Sequence, residues 1–185
     1  MTPNPKPIRL LILGLGNLLC GDDGLGAAVI ARLRDRYEAP DGVSILDGGT
    51  LGLALLPYLE DSEKAILVDA IRTDDPPGSH VRLEGDDVGP AVALRLSPHQ
   101  VGVADLLDAA RWRGLLPDVL VLLGLVPKTI ELGLRRSPRV EEQVPELTRR
   151  VVEEARTLGF ELTLRRDHEA PAAPGSLDVA RALGL

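Results

Sequence analysis

Cysteine is almost absent from this 185-residue chain, where Cys20 stands alone. No intrachain disulfide can form, and no cluster of thiolates can hold a structural metal. A single thiol suits a reducing compartment. The opening MTPNPKPIRL lacks a long apolar stretch of the secretory kind, so a cytoplasmic location is the expectation. Aromatic residues are as scarce, at 2% of the chain. The core must therefore be built from Leu, Val, Ile and Ala. Basic residues are outnumbered, 21 against 28 acidic ones, for a net charge of −7. That balance argues against a nucleic-acid partner, which calls for a basic face. No run approaches the ~20 apolar residues that span a bilayer, so no membrane span is expected. The longest, VLVLLGLV (Val119–Val126), has the length of a buried strand.

The chain is otherwise rich in alternating strand and helix signals. Ile8–Leu13 is a continuous apolar run of the kind found in central parallel strands. Residues 24–37 carry helical periodicity, with Leu25, Ala28, Val29 and Leu33 on one face. Val43–Leu46 and Lys64–Val68 read as further strands, with a short helix over residues 51–60 between them. Ser79–Leu83 reads as a strand entered through the turn-forming TDDPPG. In LSPHQVGVADLLDAARWRG, Ser97 and Gln100 make a capping box, Pro98 suits the first helical position, and Leu96 with Val101 fits a hydrophobic staple. Val119–Val126 follows as the last central strand. Ser137-Pro138 opens a final helix with Val144, Leu147, Val151 and Ala155 inward, which Pro145 is expected to interrupt or restart, and which Gly159 closes. This order predicts an α/β fold of three layers: a mostly parallel twisted sheet with helices on both faces. Residues 1–166 are expected to form a single domain, and the Ala- and Pro-rich residues 167–185 a tail.

The loop GLGNLLCGDDGLG joins the first strand to the first helix. A dinucleotide fingerprint needs glycine where Leu19 stands, and a P-loop needs Gly-Lys-Ser/Thr. Asp22 and Asp23 would also repel a phosphate. The loop thus suits cations or backbone amides, and one of the two carboxylates is expected to cap the helix. Asp69 directly follows AILV, and Asp47 ends the second strand. Both stand where open α/β sheets bind ligands, although an Asp there also caps turns. Of three histidines, His80 lies by a turn, His168 in the tail and His99 at the start of the capped helix. The positive end of a helix dipole favours a neutral imidazole, the form that binds metal. Asp23, Asp69 and His99 all fall at strand-to-helix junctions, which share one edge of a right-handed parallel sheet. Two carboxylates and an imidazole would suit Zn, Ni or Fe(II).

Four motifs in order, LILGLGNLLCGDDGLG, ILDGGTLGLALL, AILVDAI and SPHQVGVADLL, closely resemble the nickel–iron hydrogenase maturation endopeptidases. The resemblance covers about Ile8 to Arg165. It implies a metal-binding cleft with Asp23, Asp69 and His99 as ligands, and a secondary role for Asp47 in activity or substrate recognition. It implies that the partner is the precursor of the hydrogenase large subunit, trimmed of a short C-terminal extension once nickel is in place. Nickel would arrive with the substrate, leaving the isolated protein, expected to be a monomer, metal-free. Such an enzyme is a metal-dependent aspartate/histidine-site endopeptidase. A non-catalytic, chaperone-like module that binds the nickel-charged subunit is the alternative. Cys20 is expected to be a small buried hydrophobe rather than a nucleophile.

Overall fold

A strand apolar on both faces has to be covered on both faces, and β1 (Ile8–Leu15) meets that requirement at the centre of a five-stranded sheet. The sheet order is β3 (Val43–Gly49), β1, β4 (Ser62–Ala70), β6 (Val119–Leu125) and β5 (His80–Glu84). The first four run parallel, and β5 pairs antiparallel with β6. The computed structural model describes residues 8–93 and 101–165. Leu10 and Ile12 face a core shared with α1 (Leu25–Arg36) and α5 (Pro138–Thr157). Leu11 and Leu13 face the opposite core, shared with α2 (Leu56–Glu60), α3 (Val88–Ala93) and α4 (Val101–Trp112). The period-2 alternation of one strand thus feeds two helical layers, as the three-layer expectation required.

The structure refines the sequence-based picture at three points. The Ser79–Leu83 segment is the expected strand, and it pairs antiparallel at the edge of the mostly parallel sheet. A crossover helix is needed to make a parallel neighbour, and only the turn-forming residues before His80 separate β4 from β5. Residues 85–93 add a helical turn and α3, which carried no clear periodic signal. Pro145 does not interrupt α5, which runs through it for 20 residues. Val140, Val144, Leu147, Val151 and Ala155 lie buried along one stripe, while Pro145 sits on the exposed face. Burial of that stripe outweighs the one backbone hydrogen bond that proline removes. The capping box at Ser97 and the tail from residue 167 lie outside the described residues.

The C-terminus of α5 is secured by the only phenylalanine of the chain. Phe160 is buried beneath two cations, with the Arg9 guanidinium 5.1 Å and the Lys64 ammonium 5.6 Å from its ring centre. Lys64 also donates to the Leu158 carbonyl at 2.9 Å, where the helix leaves its last carbonyls unpaired. Beyond it, β7 (Thr163–Leu164) pairs antiparallel with β2 (Tyr37–Glu38), closing the chain onto the end of α1. On the exposed face of α5, Arg149 and Arg150 beside Glu146 hold that carboxyl down at about 2.

The start of α1 rests on the sheet with no clearance. A Cβ at Gly26 would lie 2.2 Å from the Leu15 carbonyl oxygen and 2.7 Å from that of Val68. Gly26→Ala should therefore destabilise the fold by about 3 kcal/mol in denaturant melts. Gly89, within α3, has only the Arg111 side chain nearby, at 3.5 Å. Gly89→Ala should be neutral or stabilise by up to about 1 kcal/mol. Pro145→Ala restores a helix hydrogen bond on an exposed face, and the same melts should show a gain of about 1–2 kcal/mol.

Candidate active site

The chain begins at β1, steps outward to β3, then returns to lay β4 on the other side of β1. The order reverses between β1 and β4, so a crevice opens at the carboxyl ends of these two strands. Gly14 pairs with Val68 in this register, which puts Leu15 and Asp69 at the mouth of the crevice. The first loop and α1 descend directly over it, through the Gly26 contact described above.

Asp23 comes from the first loop, as the third residue of the 3-10 turn Gly21–Gly24. The loop folds back so tightly that a Cβ on Gly16 would lie 1.9 Å from the Asp23 carbonyl oxygen, and Gly16 takes φ +113°. The Asn17 N–H donates to Asp23 Oδ2 at 2.8 Å. The side chain is 1% exposed. Asp69 ends the apolar part of β4 and is fully buried. Its Oδ1 accepts the Ala70 N–H at 2.7 Å. Across the ladder it faces Gly124 of β6, where a Cβ would come within 2.0 Å of the Asp69 carbonyl oxygen. Backbone packs against backbone here, and only glycine fits.

Asp47 lies one strand away, opposite Gly14 and half-buried. It is within β3, which runs on to Gly49, rather than at its end. Its Oδ1 accepts the Gly49 N–H at 3.1 Å, and Gly49 O accepts Gly16 N–H at 3.1 Å. Asp47 thereby shapes the turn that supports the first loop. His99 falls outside the described residues. α4 begins two positions after it, and its Gly102 lies against Gly52 in the loop after β3, so the N-terminal end of α4 sits at the same carboxyl edge.

Neither aspartate of the GDDG turn caps a helix. The caps are Cys20 and Gly24, with no side-chain cap bond at either. Asp22 has another task that its spacing did not reveal. Its fully buried carboxylate accepts from the Lys128 N–H (2.8 Å), the Thr129 N–H (3.1 Å), the Ser137 N–H (2.6 Å) and the Ser137 hydroxyl (2.9 Å). Four donors commit this carboxylate to structure. It clamps residues 128–137 against the first loop. Cys20, half-buried rather than buried, adds a single parallel bridge to Gly133 in the same seam.

Chemically, the edge offers two buried carboxylates, each oriented by a backbone N–H, at the point where an α/β sheet takes its ligand. Hard oxygen donors of this kind fit a divalent cation. Among the described residues no three side chains of His, Cys, Asp or Glu form a complete metal cluster. No helix among them is long and apolar enough to cross a membrane.

A model of the hydrogenase maturation protease family matches residues 27–154. The hydrogenase 2 maturation protease of Escherichia coli is 36% identical over 83% of this chain and 94% of its own length. The hydrogenase expression/formation protein HupD of Rhodobacter capsulatus is 38% identical over 87% of this chain and 78% of its own. The solved hydrogenase maturating endopeptidase HybD of E. coli superposes with a TM-score of 0.81 at 36% identity, covering 85% of this chain and 98% of that one. The fold is thus shared over 85% of the chain with a solved protease of this kind, and the chain belongs to the hydrogenase maturation protease family.

Proposed function

We propose that this protein is the endopeptidase that trims a C-terminal extension from the precursor of a nickel–iron hydrogenase large subunit, acting after nickel insertion. The observation that carries the reading is the pair of buried carboxylates, Asp23 and Asp69, at the switch point of a chain of this family. Nickel enters as part of the substrate. Asp23, Asp69 and His99 are the residues that grip it, with His99 assigned from its motif alone. Cation chemistry supplies the polarisation of a peptide carbonyl or a water. The protein's own residues do the positioning. The N–H groups of Asn17 and Ala70 fix the two carboxylates, and the burial of both removes water that would compete for the cation. Asp47 contributes by holding the Gly49 turn under the first loop. Asp22, bound by four donors, is given a structural part instead. No observation favours the chaperone-like alternative.

Asp23→Asn, Asp69→Asn and His99→Ala should each stay folded by circular dichroism and leave the large subunit at its precursor mass in a host lacking the native gene. A folded variant that restores the mature mass would remove that residue from the ligand set. Asp22→Ala should behave differently. It strands three backbone N–H groups, that of Ser137 buried, and should lower unfolding free energy by about 3 kcal/mol in urea melts. An unchanged midpoint would show that residues 128–137 hold their place without the clamp.

A further inference from the structure

Against the first loop lies a surface the proposed chemistry does not use. Gly133 is paired with the first loop through both of its backbone groups, its N–H to Leu19 O at 2.8 Å and its C=O from Gly21 N–H at 2.7 Å. In a parallel ladder the neighbouring residues then turn their amides to the opposite side. The backbone N–H and C=O groups of Leu132 and Leu134 have no hydrogen-bond partner among the described residues. Their side chains are 88% and 76% exposed. Leu18 and Leu19, on the paired loop, are 52% and 55% exposed. An open strand edge lined by leucines is a hazard that proteins normally cover or charge. Here it is held rigid, because Asp22 anchors the segment at Lys128, Thr129 and Ser137, on both sides of the edge.

The geometry points to residues 132–134 as a docking edge for the substrate peptide: an extended, apolar stretch next to the bond to be cut adds as a strand along it, with its side chains against Leu132 and Leu134. Three observations select this occupant. Unpaired amides in register with an existing bridge recognise extended backbone, not a helix. Exposed leucines recognise apolar side chains. The edge is hydrogen-bonded to the same loop that carries Asp23, so a strand seated there extends the seam of that loop by one strand. The inference rests on the endopeptidase reading and names what that reading leaves open, the part of this chain that reads the peptide.

The test is kinetic and uses the full chain with nickel-loaded large-subunit precursor. A Leu132→Ser/Leu134→Ser double variant touches no buried residue and should fold normally. It should lower kcat/KM at least about tenfold, carried by KM. Leu134→Pro keeps an apolar side chain but removes the outward N–H, and should raise KM in the same direction. Trp112→Ser, 90% exposed at the far end of α4, is the control and should leave both constants unchanged. Normal KM in the double variant would overturn the docking edge. So would a wild-type dimer that the double variant abolishes, which would assign the edge to a second copy. A chain lacking residues 167–185 with a sharply lower KM would assign it to the tail. Failure of the cleavage reading looks different, because wild type itself would then leave the precursor uncut.

Discussion

A carboxylate taken out of water has to be met by donors from the protein, and at Asp22 that need joins two distant parts of the chain. The residue sits in the first loop, yet its partners Lys128, Thr129 and Ser137 are 106 to 115 positions away. Meeting the charge therefore closes a long loop, and the buried N–H and hydroxyl of Ser137 would be orphans without it. The consequences extend in both directions. The first loop is braced from outside while Gly16 and Gly26 press it onto the sheet from inside. The entry to α5 is set by Ser137, whose N–H and hydroxyl are both committed to the clamp. Asp23, one residue on, inherits its position from this clamp.

The layers of the molecule were legible because they depend on patterns local to each segment. Apolar runs of strand length gave β1, β4 and β6, and helical periodicity gave α1 and the inner stripe of α5. Reading failed where the deciding contact lay elsewhere in the chain. Pro145 looks like a breaker in sequence, but five buried residues on one face of α5 hold the helix together around it. The carboxyl-edge placement of Asp23 and Asp69 followed from strand-end logic. The division of labour between Asp22 and Asp23 did not, since adjacent identical residues differ only in what the tertiary fold brings to each. Gly124 was equally silent: within LGL it looks like an interruption of an apolar strand, whereas its missing side chain is what lets β6 pass beside Asp69.

The site thus has two parts with different physical character. Its floor is backbone: glycines at 14, 16, 26 and 124 allow strands, loop and helix to approach within distances that admit no Cβ. Its rim is side chain, with leucines at 18, 19, 132 and 134 standing out from loops that are fixed by hydrogen bonds but not by packing. Rigid support beneath oriented carboxylates is what electrostatic preorganisation requires. An apolar rim is what peptide recognition requires.

That contrast bears on how such a protein can change over time. At Gly124 every alternative residue would drive a side chain into the main chain next to Asp69. The rim has no such constraint, for even a Cβ added at Gly133 would meet nothing within 4 Å. Lineages could exchange rim residues freely and so follow divergence in the peptides they cut, without disturbing the floor. Chemistry is inherited through positions that cannot vary, and preference through positions that can.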